Sequence, residues 1–408
     1  MGKKLNKKIL VIGAGDYQVP LIKRIRELKY EVYCLDYNSE ASGFSYSDGF
    51  AVIDVCDVDK CYAYAKNLGI DAVMTYGSTM TLPTVAYIAE RLNLTALNGE
   101  TAKLSKSKYA IKKRLADKGL NIKGEFFSSN TIDEAKQKKY SYPCVIKPSD
   151  GSGSKGVSIV HSQAELNMAI EYAFMSARYG EIYAESFIPG NEYSVECFVD
   201  KEDIYVYAIV KSTFVRNADK SISYGHRTPS GLSEGEIDVI EKEVTNAINA
   251  LDINFGNVNF DVILSEDDKK PYIIDVGIRA GQNLIASHFV TLSRGVNMMD
   301  NLIYLALNER EKVNLKPNKK IPIATRLLIY NPGKIMEIKP MEELIGNNHI
   351  VDIVLRKNVG DILREYQDKS DTCGWVVADG VTPDDAEYNA QMAKDVIEKY
   401  IIIQNNEK

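Results

Sequence analysis

From Cys144 to Val160 the chain reads Cys-Val-Ile-Lys-Pro-Ser-Asp-Gly-Ser-Gly-Ser-Lys-Gly-Val-Ser-Ile-Val. An apolar run ends at Lys147, a loop of glycines and serines carries Lys155, and a second β-rich run follows. Glycines let successive backbone N–H groups turn inward and let a phosphate come close, and lysines at the rim add positive charge. A P-loop passes from strand to loop to helix, whereas here Val157–Val160 reads as a strand. The loop is therefore expected at the tip of a hairpin. It is either a flap that closes over a triphosphate or a flexible polar turn, and its surroundings must decide.

The N-terminal hundred residues alternate in type. Lys8–Ile12 is a buried parallel strand that enters the glycine turn Gly13-Ala-Gly15, and a helix is predicted over 18–29. Strands follow at 31–36, 50–54 and 71–75, and helices at 58–68 and 82–92. This order predicts a doubly wound parallel sheet ending near Leu97. Glycines after the first strand and Asp36 after the second invite a dinucleotide site and an NAD(P)-dependent oxidoreductase. Against that, Gln18 stands where the third glycine of the fingerprint belongs.

The bulk composition narrows the field. The 408 residues, with 45% hydrophobic and 26% charged side chains, suit a globular chain of more than one domain. A net charge of −6 argues against nucleic acid or an anionic membrane as the partner. No apolar run nears the ~18 residues of a membrane span, and the apolar stretch after the basic start is too short for a signal peptide. The six cysteines are scattered without a CxxC pair, as expected of a cytoplasmic chain with no zinc site.

In the middle, residues 102–119 are predicted as one amphipathic helix whose lysines (Lys106, Lys108, Lys112 and Lys113) ordinarily face solvent. Ile182–Val199 reads as strand, tight turn, strand. It is either a plain hairpin or a hinge with an apolar slot for an adenine ring, with Glu192 placed to accept from ribose hydroxyls.

Gly256–Leu264 and Pro271–Val276 read as two strands joined by the turn Asp267–Lys270. A hairpin centred near Asp268 makes Asp261 face Asp275, with Phe260, Val262, Ile274 and Val276 on the other face. Opposed side chains sit about 5 Å apart at Cβ, where like charges repel. A buried pair of this kind calls for a cation, and magnesium accepts few carboxylates plus phosphate oxygens and water. Arg279, just beyond, suits a phosphate or a carboxylate. Strands at 321–330, 350–355 and 373–379 and a helix from Thr382 to about Tyr400 predict a small α+β lobe, with only Gln404–Lys408 frayed.

In this order the pieces resemble the ATP-grasp superfamily, and within it the carboxylate–amine ligase branch. The resemblance spans roughly Leu10 to Tyr400. It implies an α/β and α+β chain in three parts. Residues 1–100 form a Rossmann-like pre-ATP-grasp domain, 101–310 a two-lobed ATP-grasp domain with a mobile lobe at about 120–190, and 311–408 a C-terminal α+β lobe. It further implies ATP and Mg2+ (or Mn2+) as cofactors, a small carboxylate and an amine as substrates, no nucleic acid or membrane partner, and a possible homodimer.

Carried over position by position, Lys108 and Lys147 match the ATP-phosphate lysines. Gly151, Ser152, Gly153, Ser154 and Gly156 match the flap. Glu185 matches the acid opening the adenine hinge, the backbone of Ser186 and Ile188 faces the base, and Glu192 matches the ribose acid. Asp261 and Asp275 match the magnesium ligands, and Arg279 the arginine holding the acyl phosphate or carboxylate. Lys211 and His226 fall where the family lines the phosphate and substrate side. One departure stands out: the family's Glu-x-Asn-x-Arg reads here Asp275-Val-Gly277-Ile-Arg279. The reading is a ligase that activates a carboxylate as its acyl phosphate and passes it to an amine. An ATP-binding homologue with weak or lost catalysis is the alternative.

Overall fold

The structure is a computed structural model that describes residues 6–151, 155–217, 220–281, 288–366 and 371–405. Strands β1 (Lys8–Ile12), β2 (Glu31–Asp36), β3 (Gly49–Val52) and β4 (Ala72–Met74) form a parallel sheet in the order β3-β2-β1-β4. Helix α1 (Val19–Glu27) connects β1 to β2, α2 (Val58–Leu68) connects β3 to β4, and α3 (Leu82–Leu92) follows β4. Both faces of this sheet are buried, which is why β1 is apolar from Ile9 to Ile12.

After α4 (Gly99–Leu104) and α5 (Lys108–Asp117) the chain builds a small lobe. It consists of β5 (Phe126–Ser129), α6 (Ile132–Gln137), β6 (Cys144–Pro148), β7 (Ser158–Val160), α7 (Gln163–Ser176) and β8 (Ile182–Ser186). The lobe's antiparallel sheet, β5-β8-β6-β7, carries α6 and α7 over a core of its own around Ile146, Ile170 and Ala184. The glycine loop joins β6 to β7, paired from Cys144↔Val160 to Ile146↔Ser158, so it is the tip of a hairpin.

The body follows: β9 (Gly190–Asp200), β10 (Asp203–Asn217), β11 (Lys220–Thr228), α8 (Glu234–Ala250), β12 (Phe255–Ser265), β13 (Pro271–Gly277), α9 (Val290–Arg294) and α10 (Met298–Ala306). The last stretch holds β14 (Ile323–Leu328), β15 (Gly333–Ile338), β16 (Ile350–Leu355), β17 (Ile362–Leu363), β18 (Gly374–Asp379), α11 (Pro383–Ile397) and β19 (Ile401–Asn405). The central sheet is eight-stranded, β13-β12-β9-β10-β11-β14-β18-β16. It runs without interruption from the acidic hairpin into the C-terminal region. Gln404, expected to fray, instead pairs with Lys334 in the small sheet β17-β15-β19.

Two sequence expectations change. The run Ile182–Val199 is no hairpin, because β8 belongs to the lobe sheet and β9 to the central sheet. Phe187-Ile188-Pro189 is thus the crossing between lobe and body. Asp261 does face Asp275, but a β-bulge follows, and the next pair is Val262↔Ile273. The extra residue, Ile274, leaves the core face, and Ile273 joins Phe260, Val262 and Val276 there.

Candidate active site

The lysine helix is broken where the sequence suggests continuity. Ser107 is extended (φ −130°, ψ 114°) and accepts from the Ala110 N–H at 3.1 Å, which starts α5 afresh. Lys108 therefore opens a helix. Its N–H donates to the Ser149 carbonyl at 2.7 Å, and the hydroxyls of Ser107 and Ser149 lie 2.9 Å apart. These bonds stitch the start of α5 to the mouth of the glycine loop, and Lys108 Nζ pairs with Asp275. Lys112, one turn on, is buried rather than solvated. It donates to the Ile273 carbonyl and pairs with Glu185, both at 2.9 Å.

Glu185 sits at the centre of a buried triad. Lys147 approaches it at 2.5 Å from the side opposite Lys112, and Lys147 also donates to the Ile274 carbonyl at 3.0 Å. The bulge in β13 thus offers two successive carbonyls to two lysines. Burial would raise the Glu185 carboxyl, but the two ammonium groups outweigh it and hold the carboxyl below the ordinary range. Lys147 is correspondingly held above its ordinary value: burial works against its charge, and Glu185, with Asp275, overcomes that. The carboxylate expected to open an adenine hinge thus has lysines on both sides.

Around it, the Ser186 N–H already donates to the Glu125 carbonyl at 3.0 Å, and Ile188 is buried. Glu192 lies near the start of β9, opposite Ile263 of β12 and partly exposed. In the flap, Gly156 has φ +78°, and a Cβ there would come within 2.5 Å of Ser176 and 2.7 Å of Pro148. Only glycine lets β7 begin so close to the end of α7. Gly151 packs on Pro148, and the flap residues Ser152, Gly153 and Ser154 lie outside the described residues.

The ligand face of the central sheet is a ladder. Its first rung is Ser194, Asp261 and Asp275, with the Ser194 hydroxyl donating to Asp261 at 2.7 Å. Burial raises the Asp275 carboxyl, but Lys108, Lys147 and Arg279 bring it below its usual value. The second rung is Glu196, Asn259 and Gly277, of which Glu196 and Asn259 are absent from the sequence reading. Glu196 is fully buried and accepts from the Asn259 amide and the Gly281 N–H, each at 3.1 Å. Burial pushes its carboxyl up to about 8 against those bonds and Arg279. The alternation Ser194-Val-Glu196 and Asn259-Phe-Asp261 was the available signal. At Gly277 a Cβ would meet Arg279 Cζ at 3.3 Å, so the missing side chain makes room for the guanidinium to lie back along β13.

Of the other two expected residues, one lies on the far face of the sheet and one lies three strands away on the ladder's face. Val210 pairs with Ser194, so Lys211, one residue on, stands on the opposite face with Tyr193. His226 is buried beside Ser212 and edge-on to Phe289, on a strand three places from β12. The dinucleotide reading also fails. The Gln18 side chain covers Gly13, about 3.3 Å from where its Cβ would stand, and donates to the Tyr76 carbonyl at 2.6 Å. Asp36 spends its carboxylate on the N–H groups of Ala14 and Asn38.

The class follows from comparison with known proteins. Residues 105–281 match the ATP-grasp domain family, the region that holds the flap, the triad and the ladder. Residues 326–401 match the L-amino acid ligase C-terminal domain 2. The chain thus carries an ATP-grasp domain followed by an L-amino acid ligase C-terminal domain. The fold is shared with an L-amino acid ligase from Bacillus licheniformis (22% identity, 99% of this chain and 100% of that one, TM-score 0.83). It is also shared with a phosphoribosylglycinamide synthetase from Anaerococcus prevotii (23% identity, 98% and 100%, TM-score 0.76). In sequence it is similar to the carbamoyl phosphate synthase large chain of Clostridium beijerinckii, 23% identical over 327 residues. That match takes in 75% of this chain but spans 30% of the large chain. Among the described residues no helix is long and apolar enough to cross a membrane.

Proposed function

We propose that the protein is an ATP-dependent ligase that joins a small carboxylate to an amine through an acyl phosphate. The observation that carries this is the pairing of Lys108 with Asp275 and of Lys147 with Glu185 and the Ile274 carbonyl, next to Asp275, beside a glycine hairpin on a separate lobe. Phosphoryl transfer asks little covalent work of a protein and much positive charge fixed in place. The lysines hold the nucleotide phosphates, and Arg279 orients the attacking carboxylate. The carboxylate oxygen bonds to the γ-phosphorus as the bond to the ADP oxygen breaks. The amine then adds to the acyl carbon, phosphate leaves, and the amine gives up a proton to form the amide. Among the described residues no three acidic, histidine or cysteine side chains gather as a metal cage. Magnesium needs only one or two carboxylates beside phosphate oxygens and water, which Asp261 and Asp275 supply. Bound there, it neutralises phosphate charge.

Hydroxylamine trapping tests the reading, because an acyl phosphate yields a hydroxamate when ATP, Mg2+ and a substrate carboxylate are all present. Asp261→Asn keeps the shape and the Ser194 bond, and is expected to lower ADP formation at least about a hundredfold with little change in Tm. Full activity in that variant removes Asp261 from the metal site. Hydroxamate-free nucleotide binding with every carboxylate tried would leave an ATP-binding homologue without catalysis.

A further inference from the structure

Beyond the second rung, the ladder continues to Asn257, opposite Phe198. Asn257 is 5% exposed, and among the described residues neither its Oδ1 nor its Nδ2 has a hydrogen-bond partner. Buried amides are almost always bonded, so an amide unpaired at both ends is an exception that asks for a partner. It lines a cavity of about 50 Å³ at the seam between the end of β4 and the end of β13. The other walls include Tyr76, Leu82, Leu97, Ile278 and Leu302, and Arg279 borders the cavity. The lining is apolar apart from Asn257, Arg279, Tyr76, the Thr75 hydroxyl, which donates to the Ile12 carbonyl, and backbone groups. The space is that of about three or four waters, or of one short side chain.

We infer that this cavity is the side-chain subsite for the carboxylate substrate, and that Asn257 is its specificity-determining residue. The inference rests on the ligase reading. A carboxylate oriented by Arg279 brings the substituent on its neighbouring carbon to the cavity, because Arg279 borders both. Asn257 offers one donor and one acceptor, so the complementary group both accepts and donates. The substrate class is an amino-acid-like carboxylate with a short side chain that is apolar along its stem and ends in a carboxamide or a hydroxyl. A site built around such a bond rejects the analogue that lacks it, because the buried amide is then left unpaired.

The test compares isosteric pairs, asparagine with leucine and threonine with valine. Each is offered with ATP, Mg2+ and excess hydroxylamine, and hydroxamate formation is read. The wild type is expected to prefer the polar member of at least one pair about tenfold or more in kcat/KM. In Asn257→Leu that preference is expected to fall to within about twofold, with KM for ATP unchanged. Ligand-free Asn257→Leu is expected to melt at or above the wild-type Tm, since it removes an unpaired buried amide. Asn257→Ala widens the cavity and is expected to raise the relative rate with methionine. Turnover by the wild type without polar preference overturns the inference alone. So does an unchanged preference in Asn257→Leu with a raised Tm, the signature of an amide that had merely held a water. No hydroxamate from any carboxylate overturns the ligase reading, and the inference with it.

Discussion

Lys112 and Lys147 are buried, and Glu185 is the carboxylate between them. Taking away one partner of such a group leaves charge in a poor solvent, and typically destabilises by about 3–5 kcal/mol. Glu185→Gln is expected to lose about that much in a urea titration, and to weaken ATP binding as Lys147 drifts from the flap. A loss below about 1 kcal/mol would mean that water reaches the lysines. At this scale the sequence was legible where local chemistry sets geometry. The Asp267–Lys270 turn fixed the register, so the Asp261–Asp275 pair was readable. The partners of Lys112 were not: Ile273 is 161 positions away, and nothing in a charged helix marks which lysine turns inward. The bulge at Ile274 leaves no residue signature either. Gly277, read as a ligand lost, is where the Arg279 guanidinium lies back along the strand.

Among the elements, α5 depends most on a single residue. Ser107 caps it and also touches Ser149 and Glu181, so one hydroxyl serves helix, loop mouth and lobe. Ser107→Ala is expected to cost about 1 kcal/mol in denaturant unfolding, as lost N-caps do. KM for ATP should also rise, since Lys108 is the next residue. An unchanged KM would show that Lys108 is placed by Asp275 rather than by the cap. The helices at 58–68 and 82–92 were readable because their apolar stripes are unbroken. The break in 102–119 was hidden, because Ser105 and Ser107 lie in an otherwise helix-forming run whose periodicity continues across them. Likewise β8 and β9 look like a hairpin in sequence, and only the choice of partner strands separates them.

The whole molecule is held by shared surfaces. Helix α10 and the residue after it cover one face of the N-terminal sheet through Ile303, Ala306 and Leu307, and Arg24 pairs with Asp300 at 2.6 Å. At the edge of that seam, Glu309 pairs with Lys312 at 2.7 Å and Lys7 at 3.0 Å and accepts from the Tyr30 hydroxyl. Burial works against its charge, yet bonds from Lys312, Tyr30 and Lys7 hold its carboxyl down to about 2, from an ordinary 4.5. As pH falls, the unfolded chain binds this proton first. The stabilisation is therefore complete above about pH 4.5 and is lost as pH falls toward 2. Glu309→Gln should be less stable than wild type at neutral pH, with the gap in Tm closing across that window. A gap constant with pH would remove Glu309 from the acid response.

The continuous central sheet sets how such a chain can be remade. β11 takes its outer hydrogen bonds from β14, and α11 reaches back through Glu387 to both Arg227 and Arg326. The two family modules therefore share one sheet and one set of ions. A cut between them would bare a long edge strand, an invitation to pair with other chains. Exchanging C-terminal segments between relatives would succeed only when the donor brings a strand matched to β11 and a helix matched to Arg227. In such a lineage, new substrates are reached through loops and cavity walls rather than by trading whole domains.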